Sequence, residues 1–127
     1  MKKKLFTALL TSALVLSFDM TVNAASASTE MYYDGYKVNC DLIVNWNFAE
    51  KDEGYSKTSA DYPFTYEVGA YCNAFQNGHM VLGCFNTGTK SVSSGKVRAH
   101  ADEFRSVHNV LNNGNVKKSR KLRLKYW

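Results

Sequence analysis

Between Lys37 and Asn47 the chain reads KVNCDLIVNWN, with Val38, Cys40, Leu42, Val44 and Trp46 at every second position and, Ile43 apart, polar residues between them. Successive side chains of a strand point to opposite faces, so this pattern describes a strand with one face in a core and one in water. An amphipathic helix would space its apolar residues three and four apart. Tyr66, Val68, Ala70, Cys72 and Ala74 repeat the alternation, although Tyr71 and Phe75 on the second face blunt the contrast. Asn77-Gly78 separates that strand from Met80-Val81-Leu82, and both residue types accept the positive φ of a tight two-residue hairpin.

Turn dipeptides recur on either side of this hairpin: Asp34-Gly35, Glu53-Gly54, Tyr62-Pro63, Ser94-Gly95 and Asn113-Gly114. Short segments between regular turns predict a mainly β fold, a single small antiparallel β-sandwich or barrel-like domain of about six to seven strands. Leu122, Leu124 and Tyr126 alternate with Lys121, Arg123 and Lys125, which predicts a closing strand with one apolar and one cationic face. The segment before it admits two readings. Val97, Ala101, Phe104, Val107 and Leu111 fall at helical spacing with Asn112-Asn113-Gly114 as a cap, so an α+β fold with one helix near residues 98–112 is the alternative.

The first residues combine three lysines (Lys2, Lys3, Lys4), an apolar run from Leu5 to Phe18, and a polar stretch ending in small residues. That is the anatomy of a secretory signal peptide within residues 1–27, with cleavage after Ala24 or Ala27. The apolar run is shorter than the roughly 20 residues a spanning helix needs, so no transmembrane segment is expected after cleavage. Residues 24–29 then read as a small-residue spacer, and residues 28–127 as one β-rich exported domain, too short for two. Apolar residues make up 45% and charged residues 21%, which excludes bulk disorder.

Charge is segregated along the exported part. Residues 25–103 carry 6 basic and 10 acidic side chains, whereas residues 104–127 carry 7 basic and none acidic. Lys117, Lys118, Arg120, Lys121, Arg123 and Lys125, followed by Tyr126 and Trp127, form the most distinctive feature of the sequence. Cations spaced along one strand face suit the repeating anions of a cell-envelope polymer, lipid headgroups or nucleic acid, with Trp127 at an interface. The expected function is therefore non-enzymatic binding of an anionic extracellular or cell-envelope target, with antibacterial action as one form of it. Against this stands the use of edge-strand lysines to block aggregation, or pairing of the strip with Glu50, Asp52 and Glu53.

Two rival functions follow from other residues. A small secreted hydrolase or nuclease would use His100 or His108 as general acid, Glu67 as base, and Arg98 or Arg105 on a phosphate. A structural or inhibitory module would use the tyrosine-rich N-terminal half, Tyr32, Tyr33, Tyr36, Tyr55, Tyr62, Tyr66 and Tyr71, against another protein. No cofactor motif and no metal-ligand spacing occurs in the sequence. Cys40 and Cys72 both fall on apolar strand faces of a chain expected to meet an oxidising environment, which makes them the preferred disulfide pair and Cys84 the odd thiol. The hairpin loop decides whether Cys84 reaches Cys72: two residues would set Gly83 opposite Cys72, and three would put both cysteines on one face.

Overall fold

The computed structural model describes residues 6–8, 12–13, 22–47, 50–61 and 64–126. They form eleven strands, nine of them beyond residue 21, and no helix: β1 Phe6–Ala8, β2 Ser12–Ala13, β3 Val22–Tyr33, β4 Tyr36–Asn47, β5 Asp52–Ala60, β6 Glu67–Gln76, β7 His79–Thr89, β8 Ser91–Ser93, β9 Val97–Ala99, β10 Glu103–Asn112 and β11 Asn115–Tyr126. One antiparallel sheet has the order β1-β11-β10-β6-β7, and the other β2-β3-β4-β5-β8 with β9 also on β5. The expected β-sandwich is the observed architecture, with more strands than its turn count implied.

Three hairpins are set locally. Asp34-Gly35, Asn77-Gly78 and Asn113-Gly114 each place two successive residues at positive φ, between 52° and 81°. Asn, Asp and Gly bear that conformation at little cost, and the paired positive φ values match the twist of the flanking strands.

The alternating faces close the core. Val38, Cys40, Leu42, Val44 and Trp46 of β4 are fully buried, as are Val68, Ala70, Cys72 and Ala74 of β6; across the sandwich β4 meets β10 and β11, and β6 meets β5. Trp46 meets Tyr126 edge-on at 4.5 Å between ring centroids and Phe104 at 5.5 Å, joining β4 of one sheet to β10 and β11 of the other. At the opposite end Tyr66 packs edge-on against Tyr33 at 5.1 Å and Phe64 at 5.3 Å, and its hydroxyl donates to Asp34 at 2.7 Å. Such aromatic pairs contribute about 0.5–1.5 kcal/mol each beyond the area they bury.

Two sequence expectations need correction here. Residues 103–112 are a strand, not a helix, and Asn113-Gly114 turns a hairpin rather than capping a helix. The inward residues of β10 are Phe104, Ser106, His108 and Val110, all buried, and two polar members conceal the period of two. Residues 24–29 are no spacer either, because β3 pairs with β4 along its whole length and buries Ala25 and Ala27 in the core.

The inward line of β5 is also small or polar: Asp52, Gly54, Ser56, Thr58 and Ala60. Its hydroxyls are satisfied across the sandwich, with Ser56 Oγ donating to Tyr71 O at 2.8 Å and Thr58 Oγ1 to Gly69 O at 2.9 Å. Thr58 Oγ1 also lies 2.8 Å from His108 Nδ1, and Ser106 Oγ lies 2.8 Å from His108 Nε2. Since the Thr58 proton goes to Gly69 O, its oxygen accepts from Nδ1–H, and Nε2 accepts from Ser106. A polar seam thus binds β5 to β6 and β10.

Candidate binding face

The side of the β11-β10-β6-β7 sheet that faces away from the core carries the charge. Its residues fall into rows across four strands: Lys121, Val107, Tyr71 and Phe85 in one, and Arg123, Arg105, Asn73 and Gly83 in the next. A groove of about 580 Å³ lies over them, lined chiefly by Asn73, Phe75, Arg105, Val107, Lys121 and Arg123.

Each wall of this groove has a physical origin. Arg105 lays its guanidinium 4.0 Å above the Phe75 ring and donates to Glu103 Oε1 at 3.1 Å, so its plane is held by stacking and charge together. Arg123 reaches the other carboxylate oxygen of Glu103 at 3.5 Å. Glu103 is buried between the two cations, leaving the groove with an excess of positive charge once Lys121 is included, which has no ion pair among the described residues. Tyr71 and Phe85 stack with centroids 3.9 Å apart, and Phe85 stays half exposed, extending an aromatic floor toward the edge strand. Gly83 opposite Asn73 keeps this floor open, since a Cβ there would overlap Asn73 Oδ1.

The predicted cationic strip is divided by the fold. Lys121, Arg123 and Lys125 share the outward side, as the alternation implied. Lys118 and Arg120 stand opposite Val110 and His108, which places them on the inward side where the core gives way to solvent. Lys117 is the extra residue of a bulge, because Val110 pairs with Lys118 while Leu111 pairs with Val116. The six cations therefore do not share one face. Trp127 lies outside the described residues, as do Tyr62 and Pro63.

Glu53 is met by Lys96 and Arg98, both at 3.6 Å, and Asp52 is buried, accepting from Asn47 N at 2.7 Å and Ala101 N at 3.2 Å. Arg98 is thereby committed to a carboxylate of the adjacent strand β5, on the sheet that does not carry the cationic face. His108 is fully buried, and burial pushes its pKa down from 6.5 to about 4, leaving a neutral ring with both nitrogens engaged. Glu67 projects from the opposite face of the sheet, so these two do not converge on a common site. Of the tyrosines, Tyr33, Tyr36 and Tyr66 pack against the core and Tyr71 joins the outward face, so they form no single surface.

The expected Cys40–Cys72 pair is not formed. Cys40 is on β4 of one sheet and Cys72 on β6 of the other, and all three cysteines are free thiols. Both were correctly assigned to the interior, but β6 receives β5 rather than β4 across the sandwich. Burial pushes the Cys40 and Cys72 thiols up to about 12.

Asn73, Phe75 and Phe85 were not singled out from sequence. The signal for Phe75 was the aromatic content on the second face of β6, visible as a weakened alternation, while Asn73 and Phe85 gave none. Comparison with known proteins finds no family model, no curated protein and no solved structure that matches the chain.

Proposed function

We propose that the protein is exported and binds an anionic polymer or surface outside the cell without catalysing a reaction, using the outward face on which β11 lies. The reading rests on the groove where Lys121, Arg123 and Arg105 stand beside Phe75 and Asn73. Cationic groups attract phosphate or carboxylate, the phenyl ring offers a platform for an apolar surface, and the Asn73 amide both donates and accepts. A shallow groove across several strands suits an extended ligand better than a small enclosed one. Export is supported by the cationic and apolar leader and its small-residue cleavage sites.

Sedimentation with vesicles containing anionic phospholipid, beside purely zwitterionic vesicles and a soluble polyphosphate chain, tests this reading. Association with the anionic probes should fall at high salt and be lost in the Lys121→Glu, Lys125→Glu double variant, which reverses two outward cations of β11, with an unchanged circular dichroism spectrum. Equal association of the variant and the parent protein would overturn it.

A further inference from the structure

Cys72 on β6 and Cys84 on β7 stand directly opposite each other. Both turn toward the interior, Cys72 fully buried and Cys84 packed against the core from a partly exposed position, with its Sγ 3.7 Å from Lys96 O. Opposed residues of an antiparallel pair have Cα atoms about 4.5 or 5.5 Å apart, and both separations fall in the roughly 4.4–6.8 Å range that a disulfide bridges.

This opposition is built by a bulge. Gln76 pairs with His79 and Phe75 with Met80 around the two-residue turn, a register that continued would set Gly83 against Cys72. Ala74 instead pairs with Leu82, so Val81 is an extra residue and everything beyond it advances by one. Cys84 takes the place of Gly83. Cys40 lies on the other sheet, which resolves the odd number of thiols into one opposed pair and one single residue.

We propose that Cys72 and Cys84 are an oxidisable pair that closes to a cross-strand disulfide on exchange with a small-molecule disulfide, leaving Cys40 as the remaining thiol. The thiolate of Cys84, the less buried of the two, attacks one sulfur of the oxidant, forming a mixed disulfide and releasing one equivalent of small thiol. Cys72 then loses its proton to solvent and attacks Cys84 Sγ, expelling the second equivalent. Two protein thiols are oxidised and one small-molecule disulfide is reduced to two thiols. Burial, which raises the thiol of Cys72 to about 12, makes closure the slow step. The bond would tie the edge strand β7 to β6 beside Phe85, independently of what the outward face binds.

The test is to equilibrate the protein with oxidised and reduced glutathione at mildly alkaline pH, both from the folded state and during refolding from denaturant, then to titrate free thiols and map linked peptides by mass spectrometry. The thiol count should fall from three to one, with Cys72 and Cys84 linked and Cys40 free. A Cys84→Ser variant should keep both remaining thiols. Retention of all three thiols, a stable glutathione adduct on Cys84, or a bridge that includes Cys40 would each overturn the proposal.

Discussion

Arg105 and Arg123 are direct cross-strand neighbours on β10 and β11, and the carboxylate of Glu103 takes one of them on each oxygen, at 3.1 and 3.5 Å. Two like charges facing each other on one side of a sheet repel, so the face depends on a buried acid for its order. Glu103→Gln would remove the compensating charge and leave the guanidinium groups opposed. We expect a loss of roughly 1–3 kcal/mol in chemical denaturation, narrowing as salt is added. A variant as stable as the parent would show that the arginines do not need this carboxylate.

His108 links stability to acid. Its pKa in the folded protein is about 4, below the ordinary 6.5, because burial disfavours the charged ring. The unfolded chain therefore binds the proton first as pH falls, so the contribution of His108 is complete above 6.5 and is lost progressively toward 4. The loss at this one group amounts to roughly 3 kcal/mol as an upper figure. Denaturation midpoints across that interval should show the decline for the parent, and His108→Gln should flatten it. An equal slope in both proteins would place the titration elsewhere.

Gly54 on β5 lies beneath the Phe104 ring, where a Cβ would come within 2.6 Å of ring carbon Cδ2. Phe104 is itself held against Trp46. Gly54→Ala should cost about 1–3 kcal/mol through overpacking, seen as a lowered thermal midpoint. A Gly35→Ala variant, with open space around its Cβ and strain only from φ of +81°, separates crowding from backbone effects. The two substitutions having reversed costs would contradict the packing described for β5.

If the protein is exported as proposed, the position of β3 bears on where its leader would be cleaved. Ala25 and Ala27 are buried in the core, and residues 25–33 continue the ladder with β4. Cleavage after Ala24 would remove β1, β2 and the pairs of Val22–Ala24 with β4 but keep the buried Ala25 and Ala27, whereas cleavage after Ala27 would remove those two as well. Amino-terminal sequencing of protein recovered from the medium of an expressing cell should read Ala25 first. A start at Ser28 would mean that the sandwich holds without the first part of β3.

Legibility varied from strand to strand for reasons that lie in side-chain size. β4 was readable because each inward position carries an apolar group and all but one outward position a polar one. β3 and β5 were not, since Ala25, Ala27, Gly54, Ser56 and Thr58 reach the interior as small or hydroxylated residues. Burial of a hydroxyl is favourable only when an acceptor stands opposite, and the acceptors, Tyr71 O and Gly69 O, belong to a strand more than ten residues away. The same holds for β10, where His108 is inward because Thr58 from β5 and Ser106 from its own strand complete its hydrogen bonds.

The chain by its order alone determined the alternation of β4, β6 and β11 and the positions of its three Asx-Gly hairpins, because those depend on neighbours one to four residues apart. Tertiary structure decided which cations converge, which aromatic rings they meet, and which cysteine faces Cys72. Those outcomes turn on two single-residue bulges, at Val81 and Lys117, and on the pairing of distant strands. One inserted residue reverses every face beyond it, and only the balance of contacts over the whole sheet fixes where that insertion falls.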